Sequence, residues 1–274
     1  MKYLKVLIFT NCQGHVLKSF FPITFIVNTY HNFNYIYMDY LDDNIKKDLM
    51  SCDYFIYQPL SSIYPIYNTD NLKKYLKPTC KTISFPYIFN DAFTPLYKSY
   101  KHDISKNGEY ATENPYSTVY RNITPIIELK EKGFSLEEIL ELYNNNQIDF
   151  KYKERFDKTI RILQEKEKDT DIKVSQFIID NYKKYKLFNY HNKGTTDIIS
   201  CNHPSNILFI YYANQIFKLM DLEPIKYSGP ELFGNAMHVS RYDISFYKYE
   251  WVYNESKLID SKLKVIISEI YYKF

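Results

Sequence analysis

Cys12 is the residue whose type and position most clearly indicate chemistry. It follows a β-prone run over residues 3–10 and lies in the turn NCQG over residues 11–14, ahead of a predicted helix. Backbone amides and the helix dipole at such a turn favour a thiolate and can stabilise an oxyanion, as a nucleophile requires. The alternative is that Cys12 is a small residue packed beneath the turn, as free cysteines commonly are.

His203 is the candidate general base that would act with Cys12. It follows the β-prone run 195–200 and precedes a predicted helix, with Pro204 in the first helical turn. The ring of His203 should therefore lie at the carboxyl edge of the sheet, where α/β proteins bind ligands, and could accept a proton there. His15, one helical turn after Cys12, is the rival base. The alternative is that His203 only caps its helix.

Asn11, Gln13 and Gln58 carry uncharged amides at predicted strand ends on the same edge. Such amides can donate to an oxyanion or to sugar hydroxyls, or they can satisfy the backbone of their own turns. The remaining histidines have no metal-ligand spacing and no HExxH occurs, so we predict no metal. The glycine-rich motifs of nucleotide-binding loops are also absent from the sequence.

Strand-like and helix-like segments alternate in the first third of the chain. Strands are predicted over 3–10, 34–38, 53–58 and 81–85, and helices over 16–21 and 42–50. This alternation is typical of βαβ units with a parallel sheet, so we predict an α/β fold.

The middle of the chain is predicted to be helical. Ser135 and Glu138 form a capping box that begins a helix. Further helices are predicted over 152–168, 174–185, 204–221 and 258–272. We interpret residues 122–185 as a helical insertion or lid within one α/β domain that spans 1–274.

Composition excludes several classes of protein. The chain has 274 residues, with 35 Lys and Arg against 32 Asp and Glu. This net charge is far below the strong positive charge of a nucleic-acid-binding domain. Its 45% of hydrophobic residues excludes a disordered chain. Apolar stretches such as 19–27 are shorter than the roughly 20 residues that cross a bilayer. The four cysteines form no CxxC pair, and we expect reduced thiols in a cytoplasmic protein.

The order of four short motifs resembles that of the WcbI family of polysaccharide biosynthesis proteins. The motifs are Asn11-Cys12-Gln13, Gln58-Pro59-Leu60, Phe85-Pro86 and Asn202-His203-Pro204, and the resemblance spans about residues 2–221. It implies an SGNH-hydrolase-like parallel sheet flanked by helices, and it implies acetyl transfer from acetyl-CoA to a capsular sugar by a protein that binds coenzyme A.

Position by position, the resemblance implies that Cys12 replaces the SGNH serine and that His203 is the block V histidine. SGNH hydrolases usually carry Asp three residues before that histidine, where this chain has Ser200. Asp197 has the wrong spacing for the same role. The missing carboxylate argues against hydrolysis.

We therefore expect an acetyltransferase acting on a hydroxyl or amine of a free sugar, a nucleotide sugar or a glycan. Acetyl can pass through Cys12, or directly from acetyl-CoA to an acceptor that His203 activates. Residues expected to bind the oxyanion or substrate are Asn11, Gln13, Gln58 and Asn202, and those expected to bind coenzyme A are His15, Arg121 and Lys193.

Two alternatives remain open from the sequence. One is an SGNH-type sugar esterase or deacetylase, and the other is a non-catalytic protein that binds coenzyme A or a sugar. In each case the partners are small molecules rather than nucleic acid or a membrane. The aromatic C-terminal tail could be an interface between copies of the chain.

Overall fold

Four β-prone runs in the first third of the chain form one sheet in the computed structural model. The structure describes residues 3–90, 92–102, 116–189, 203–232, 239–251 and 260–274. The strands are β1 (Leu4–Thr10), β2 (Phe25–His31), β3 (Tyr54–Tyr57) and β4 (Lys81–Ser84), in the order β2-β1-β3-β4. Every neighbouring pair is parallel, so the carboxyl ends of the four strands lie along one edge.

Helices follow and flank these strands. They are α1 (Gln13–Lys18), α2 (Asp43–Ser51), α3 (Thr69–Lys73), α4 (Thr124–Glu131), α5 (Leu136–Asn144), α6 (Tyr152–Glu167), α7 (Ser175–Asn181), α8 (Asn206–Leu219), α9 (Arg241–Tyr247) and α10 (Asp260–Lys273). Two antiparallel pairs complete the described structure: β5 (Tyr97–His102) with β6 (Tyr116–Arg121), and β7 (Phe188–Asn189) with β8 (His203–Pro204). The predicted α/β class, with helices flanking a parallel sheet, is confirmed.

The central strand β1 is buried on both faces, as a strand inside a parallel sheet must be. Val6 and Ile8 point into a hydrophobic cluster that includes α8. Leu7 and Phe9 alternate with them and pack with α2 in a second cluster. Packing on both sides fixes the end of β1, and so fixes the turn that follows it.

Helices α4 to α7 share the core of the sheet rather than forming a core of their own. Ile126, Ile139, Leu163 and Ile178 are buried in the same cluster as Val6. The role of residues 122–185 as an insertion or lid stays a prediction.

The prediction of a strand over residues 34–38 is wrong. Residues 34–38 comprise the end of a short 3₁₀ helix over Asn32–Asn34 and the turn after it, and the strand at this point in the fold is β2. β2 lies at the sheet edge with mixed exposure, so its residues show neither an apolar run nor a clean alternation. The aromatic residues after it, such as Tyr35, cover Phe9 from a turn rather than from a strand.

Several helix boundaries also differ from the predictions. α1 begins earlier than predicted, at Gln13, and α7 ends earlier, at Asn181. Pro204 lies in β8 rather than in the first helical turn, and α8 begins at Asn206 with Ser205 as its N-cap. Because the amide and hydroxyl of Ser205 both bind carbonyls before β7, the chain is still extended at Pro204.

Other local predictions are confirmed. The capping box is present: the Ser135 amide donates to the Glu138 carboxylate at 2.7 Å, and the Glu138 amide donates to the Ser135 hydroxyl at 3.2 Å. The helices predicted over 152–168 and 258–272 correspond to α6 and α10. The predicted strand over 195–200 lies outside the described residues. Among the described residues, every helix is too short or too polar to cross a membrane.

Candidate active site

The turn between β1 and α1 places Cys12 at the carboxyl edge of the sheet, with Gln58 after β3 and Pro86 after β4. A cleft of about 760 Å³ opens there, a volume suited to a small-molecule ligand. Its lining combines apolar and aromatic side chains with polar ones, which include Asn11, Cys12, His31, Gln58, Lys166 and Asp169. The structure therefore brings together Asn11, Cys12 and Gln58 of the predicted site.

A chain of amide hydrogen bonds holds this turn. The Asn11 amide donates to Gln58 Oε1 at 2.9 Å, and Gln58 Nε2 donates to Gln13 Oε1 at 2.9 Å. Gln13 Nε2 then donates to the carbonyl of Ile88 at 3.0 Å. Gln13 and Gln58 are both buried, so their amide groups support the backbone under Cys12. In this arrangement each of the two side-chain amide nitrogens already donates a hydrogen bond within the protein.

Asn11 differs from the two glutamines. Its Oδ1 accepts from the Gln13 backbone amide at 3.0 Å. Its Nδ2 is buried and has no hydrogen-bond partner among the described residues. A buried donor without a partner is costly, and Asn11 also lines the cleft beside Cys12. Nδ2 of Asn11 is thus suited to bind an oxygen atom of a ligand.

The backbone amides of the turn favour a thiolate at Cys12, as predicted, but burial outweighs them. Burial raises the pKa of the Cys12 thiol to about 11, and the backbone amides of Cys12 and Gln13 oppose this shift only in part. Loss of hydration therefore decides the direction of the pKa shift. At neutral pH the thiol is protonated, and a base must take its proton before Cys12 can attack.

His203 is distant from this turn in the sequence, and its strand belongs to the β7–β8 pair rather than to the four-stranded sheet. It is half-buried in β8, where it pairs with Asn189 of β7, and the described residues that line the cleft do not include it. Its role as general base stays a prediction. Asn202 and Lys193, predicted to bind substrate and coenzyme A, lie outside the described residues.

His31 is a site residue that the sequence analysis missed. It ends β2 in register with Thr10 of β1, and it lines the cleft with Cys12. The exposed His15 of α1 stacks on it, with ring centroids 6.0 Å apart. The pKa of His31 lies below its ordinary value because of burial and the nearby charge of His15. A correct assignment of β2 would have placed this histidine at the carboxyl edge of the sheet.

The chain after α6 forms another wall of the cleft. Asp171 accepts hydrogen bonds from both the amide and the hydroxyl of Ser84 at 2.7 Å. These bonds hold the loop against the end of β4, and the neighbouring Asp169 and Thr170 line the cleft. In the described part of the chain, no three His, Cys, Asp or Glu side chains are grouped as a metal would need.

A smaller cavity of about 210 Å³ adjoins the cleft, because Tyr87 and Lys166 line both. Its cations are Arg121, Arg155, Lys158 and Lys166, and its described lining contains no acid. Arg155 is held in place by its donation to the carbonyls of residues 94 and 150, each at 2.9 Å. Arg121, predicted to bind coenzyme A, thus lies in a cavity whose charge suits phosphate groups.

Gly14 lets α1 lie directly against β1. A Cβ atom at this position would lie 1.9 Å from Thr10 Oγ1 and 2.8 Å from Ile8 Cγ2. We expect Gly14→Ala to lower the free energy of unfolding by about 1–3 kcal/mol, the usual cost of overpacking. Urea unfolding measures this change. The exposed Lys18→Ala at the other end of α1 is the control, and an equal effect of the two would contradict the role of Gly14.

Comparisons with known proteins agree with the fold. The family model for WcbI, a polysaccharide biosynthesis enzyme, matches residues 5–225. A solved structure of WcbI is similar with a TM-score of 0.70 and 15% identity, covering 99% of this chain and 91% of that chain. That protein is a polysaccharide biosynthesis enzyme in its native form, without a disulfide bond between coenzyme A and one of its cysteines. A search of curated proteins finds no match.

Proposed function

Because this chain belongs to the WcbI family of polysaccharide biosynthesis enzymes, we propose that it transfers an acetyl group from acetyl-CoA to a sugar. One observation carries the proposal. Cys12 and the unpartnered amide nitrogen of Asn11 line a cleft that adjoins a cationic cavity. A nucleophile, an oxyanion donor and a site for phosphate groups are the parts that transfer from acetyl-CoA requires. The reaction would take place in the cytoplasm, where acetyl-CoA is made.

The cationic cavity supports binding of coenzyme A. Arg121, Arg155, Lys158 and Lys166 would hold its phosphates, and the thioester would enter the cleft past Tyr87. The solved WcbI structure is of that protein without a disulfide bond between coenzyme A and one of its cysteines, which is consistent with a thioester site near a cysteine. Apolar and aromatic side chains in the cleft suit the uncharged arm between phosphate and thioester.

The protonated state of Cys12 defines the chemistry. On the covalent route, a base takes the thiol proton and Sγ attacks the thioester carbonyl, while Nδ2 of Asn11 donates to the oxyanion. The bond from the carbonyl carbon to the sulfur of coenzyme A then breaks, and that sulfur receives the proton. The sugar next attacks acetylated Cys12. On the direct route, the sugar attacks acetyl-CoA itself and Cys12 only shapes the site.

Residues 122–185 are proposed to close one side of this site. The end of α6 and its following loop contribute Lys166, Asp169 and Thr170 to the cleft wall. While coenzyme A occupies the cleft, excluding water there would protect its thioester from hydrolysis.

The test is incubation of the protein with acetyl-CoA, followed by intact-protein mass spectrometry and calorimetric titration with coenzyme A. We expect an adduct of one acetyl mass and saturable binding. Absence of binding at millimolar coenzyme A would contradict the proposal. A sugar esterase would instead release acetate from acetylated sugars without coenzyme A, and a binding protein would bind without turnover. A thiol-release assay with a panel of sugars and nucleotide sugars then identifies the acceptor.

Lys166 provides a test of the cationic cavity. We expect Lys166→Ala to raise the Kd for coenzyme A about tenfold, as loss of one charge-assisted hydrogen bond to phosphate would. Calorimetric titration measures this change. Lys168→Ala is the matched control, because Lys168 is exposed, pairs with Glu165 at 2.6 Å and lies outside the cavity lining. Equal affinities of the two variants would contradict this assignment.

A further inference from the structure

The cleft needs a proton acceptor that the turn around Cys12 does not supply. The Cys12 thiol is protonated at neutral pH, and the hydroxyl of a sugar has a still higher affinity for its proton. The amides of Asn11, Gln13 and Gln58 cannot accept a proton at this pH. Acyl transfer in this cleft therefore requires a base from another part of the sheet edge.

His31 is the imidazole that the described cleft lining contains. Its position is fixed by the pairing of β2 with β1, since His31 is the register partner of Thr10, two residues before Cys12. Its Nδ1 atom is buried and has no hydrogen-bond partner among the described residues. The ring is packed on one side by His15 and contacts Phe33 edge-on at 6.3 Å. Ring packing thus holds the imidazole in place, and no structural hydrogen bond from the described residues occupies Nδ1.

Burial keeps this imidazole neutral at neutral pH, as a base must be. The titratable groups that share its surroundings are His15, which stacks on it, and five residues that line the same cleft: Cys12, Tyr64, Tyr87, Lys166 and Asp169. The charge of His15 further lowers the affinity of His31 for a proton.

We infer that His31 is the general base of this cleft and accepts the proton of the hydroxyl or water that attacks acetylated Cys12. This inference rests on the proposed function, which supplies the acetyl group on Cys12. His31 acts in the second step of that reaction, in which the acetyl group leaves Cys12. As the attacking oxygen bonds to the acetyl carbon, its proton moves to His31. The bond from that carbon to Sγ breaks, and Cys12 recovers the proton from the imidazolium. Thiol and neutral imidazole are both restored.

The experiment uses p-nitrophenyl acetate as the acyl donor, with the whole protein and water as the acceptor. A burst of p-nitrophenolate reports acetylation of Cys12, and the steady-state rate reports its deacylation. We expect the wild-type steady-state rate to rise with pH to a plateau, with a midpoint below the ordinary imidazole value of about 6.5. His31→Asn should slow the burst, because the Cys12 thiol also loses its proton acceptor. It should also lower the steady-state rate about 10²- to 10⁴-fold and lose the pH dependence.

Tyr30→Phe is the matched control. Tyr30 precedes His31 in β2, and its hydroxyl donates to Asp48 of α2 at 2.7 Å, so it lies on the other face of the sheet. Its kinetics should equal those of the wild type. His31→Ala with added imidazole gives a second test, since rescue of the steady-state rate separates a missing base from a disturbed fold.

Three results would overturn the inference. The first is a steady-state rate of His31→Asn within about threefold of wild type, since that loss is too small for a lost general base. The others are loss of the pH dependence in His203→Asn but not in His31→Asn, and a wild type without steady-state turnover. A His31-dependent turnover of p-nitrophenyl acetate, together with no adduct from acetyl-CoA, would support His31 and overturn the proposed acetyl donor instead.

Discussion

Replacement of Cys12 by alanine is expected to abolish the acetyl adduct and to lower the rate of acetyl transfer by about 10⁴-fold or more, as removal of a covalent nucleophile does. The reason is that the remaining groups of the turn can orient substrates but cannot accept the acetyl group. Asn11 would still donate to the carbonyl oxygen, so binding of coenzyme A should change little. Mass spectrometry measures the adduct, and thiol release measures the rate.

Cys80→Ala is the matched control for Cys12→Ala. Cys80 is a half-buried free thiol that precedes β4, with its Sγ 3.5 Å from that of Cys52 and at the opposite edge of the sheet. Its removal should leave both the adduct and the transfer rate unchanged. If Cys12→Ala transfers acetyl at the wild-type rate, the covalent route is wrong and the direct route takes its place.

Replacement of Gln58 by glutamate is expected to make the stability of the protein strongly dependent on pH. Gln58 is 3% exposed, and its two amide atoms have different partners. Oε1 accepts from the Asn11 amide, whereas Nε2 donates to Gln13 Oε1. A carboxylate keeps the first bond, but its second oxygen meets another acceptor. A buried charge in such a place costs about 3 kcal/mol or more.

The direction of this pH dependence follows from protonation of the introduced carboxyl group. Burial raises the pKa of the introduced carboxyl in the folded protein above the ordinary glutamate value of about 4.3. Below that ordinary value the acid is protonated in both states, and its O–H can donate to Gln13 Oε1. As the pH rises, the unfolded chain loses the proton first, so stability falls until the pH passes the folded pKa. We expect Gln58→Glu to be close to wild type near about pH 4 and about 3 kcal/mol less stable near about pH 8.

Urea unfolding across this pH range measures the effect on Gln58→Glu. The exposed Gln164→Glu of α6 is the matched control and should stay within about 0.5 kcal/mol of wild type. A loss of stability for Gln58→Glu that is constant with pH would contradict the hydrogen-bond chain. Because that chain supports the backbone at Asn11 and Gln13, we also expect a lower rate of acetyl transfer in the variant at the higher pH.

Local patterns in the sequence predicted those parts of the fold that neighbouring residues decide. The apolar run of β1 identified a buried parallel strand, because both faces of such a strand must be apolar. The β-prone runs of β3 and β4, each followed by a proline within a few residues, identified two further strands. Ser135 and Glu138 identified a helix start because the capping box needs only those two side chains and nearby amides. The turn containing Cys12 followed from the position of β1, and it lies at the predicted edge.

The edge strand β2 could not be predicted in the same way. Its pattern of burial depends on which face α1 covers and on its partner β1, neither of which its own residues reveal. With the strand misplaced, His31 stayed among the histidines without a role. Arg121 and Arg155 come from separate parts of the chain, and only the fold brings them to one cavity.

The sequence by itself determined the α/β class, the nucleophile candidate and the edge of the sheet where it lies. Only the tertiary structure decided the protonation state of that candidate. A helix start favours a thiolate, but burial removes the water that would stabilise the charge, and the resulting pKa of about 11 leaves Cys12 protonated. The tertiary structure also decided that Gln13 and Gln58 support the turn, since their partners are distant along the chain. The spacing of residues in the sequence reports local geometry. The hydration and hydrogen-bond partners of the site's side chains depend instead on every element that packs around the site.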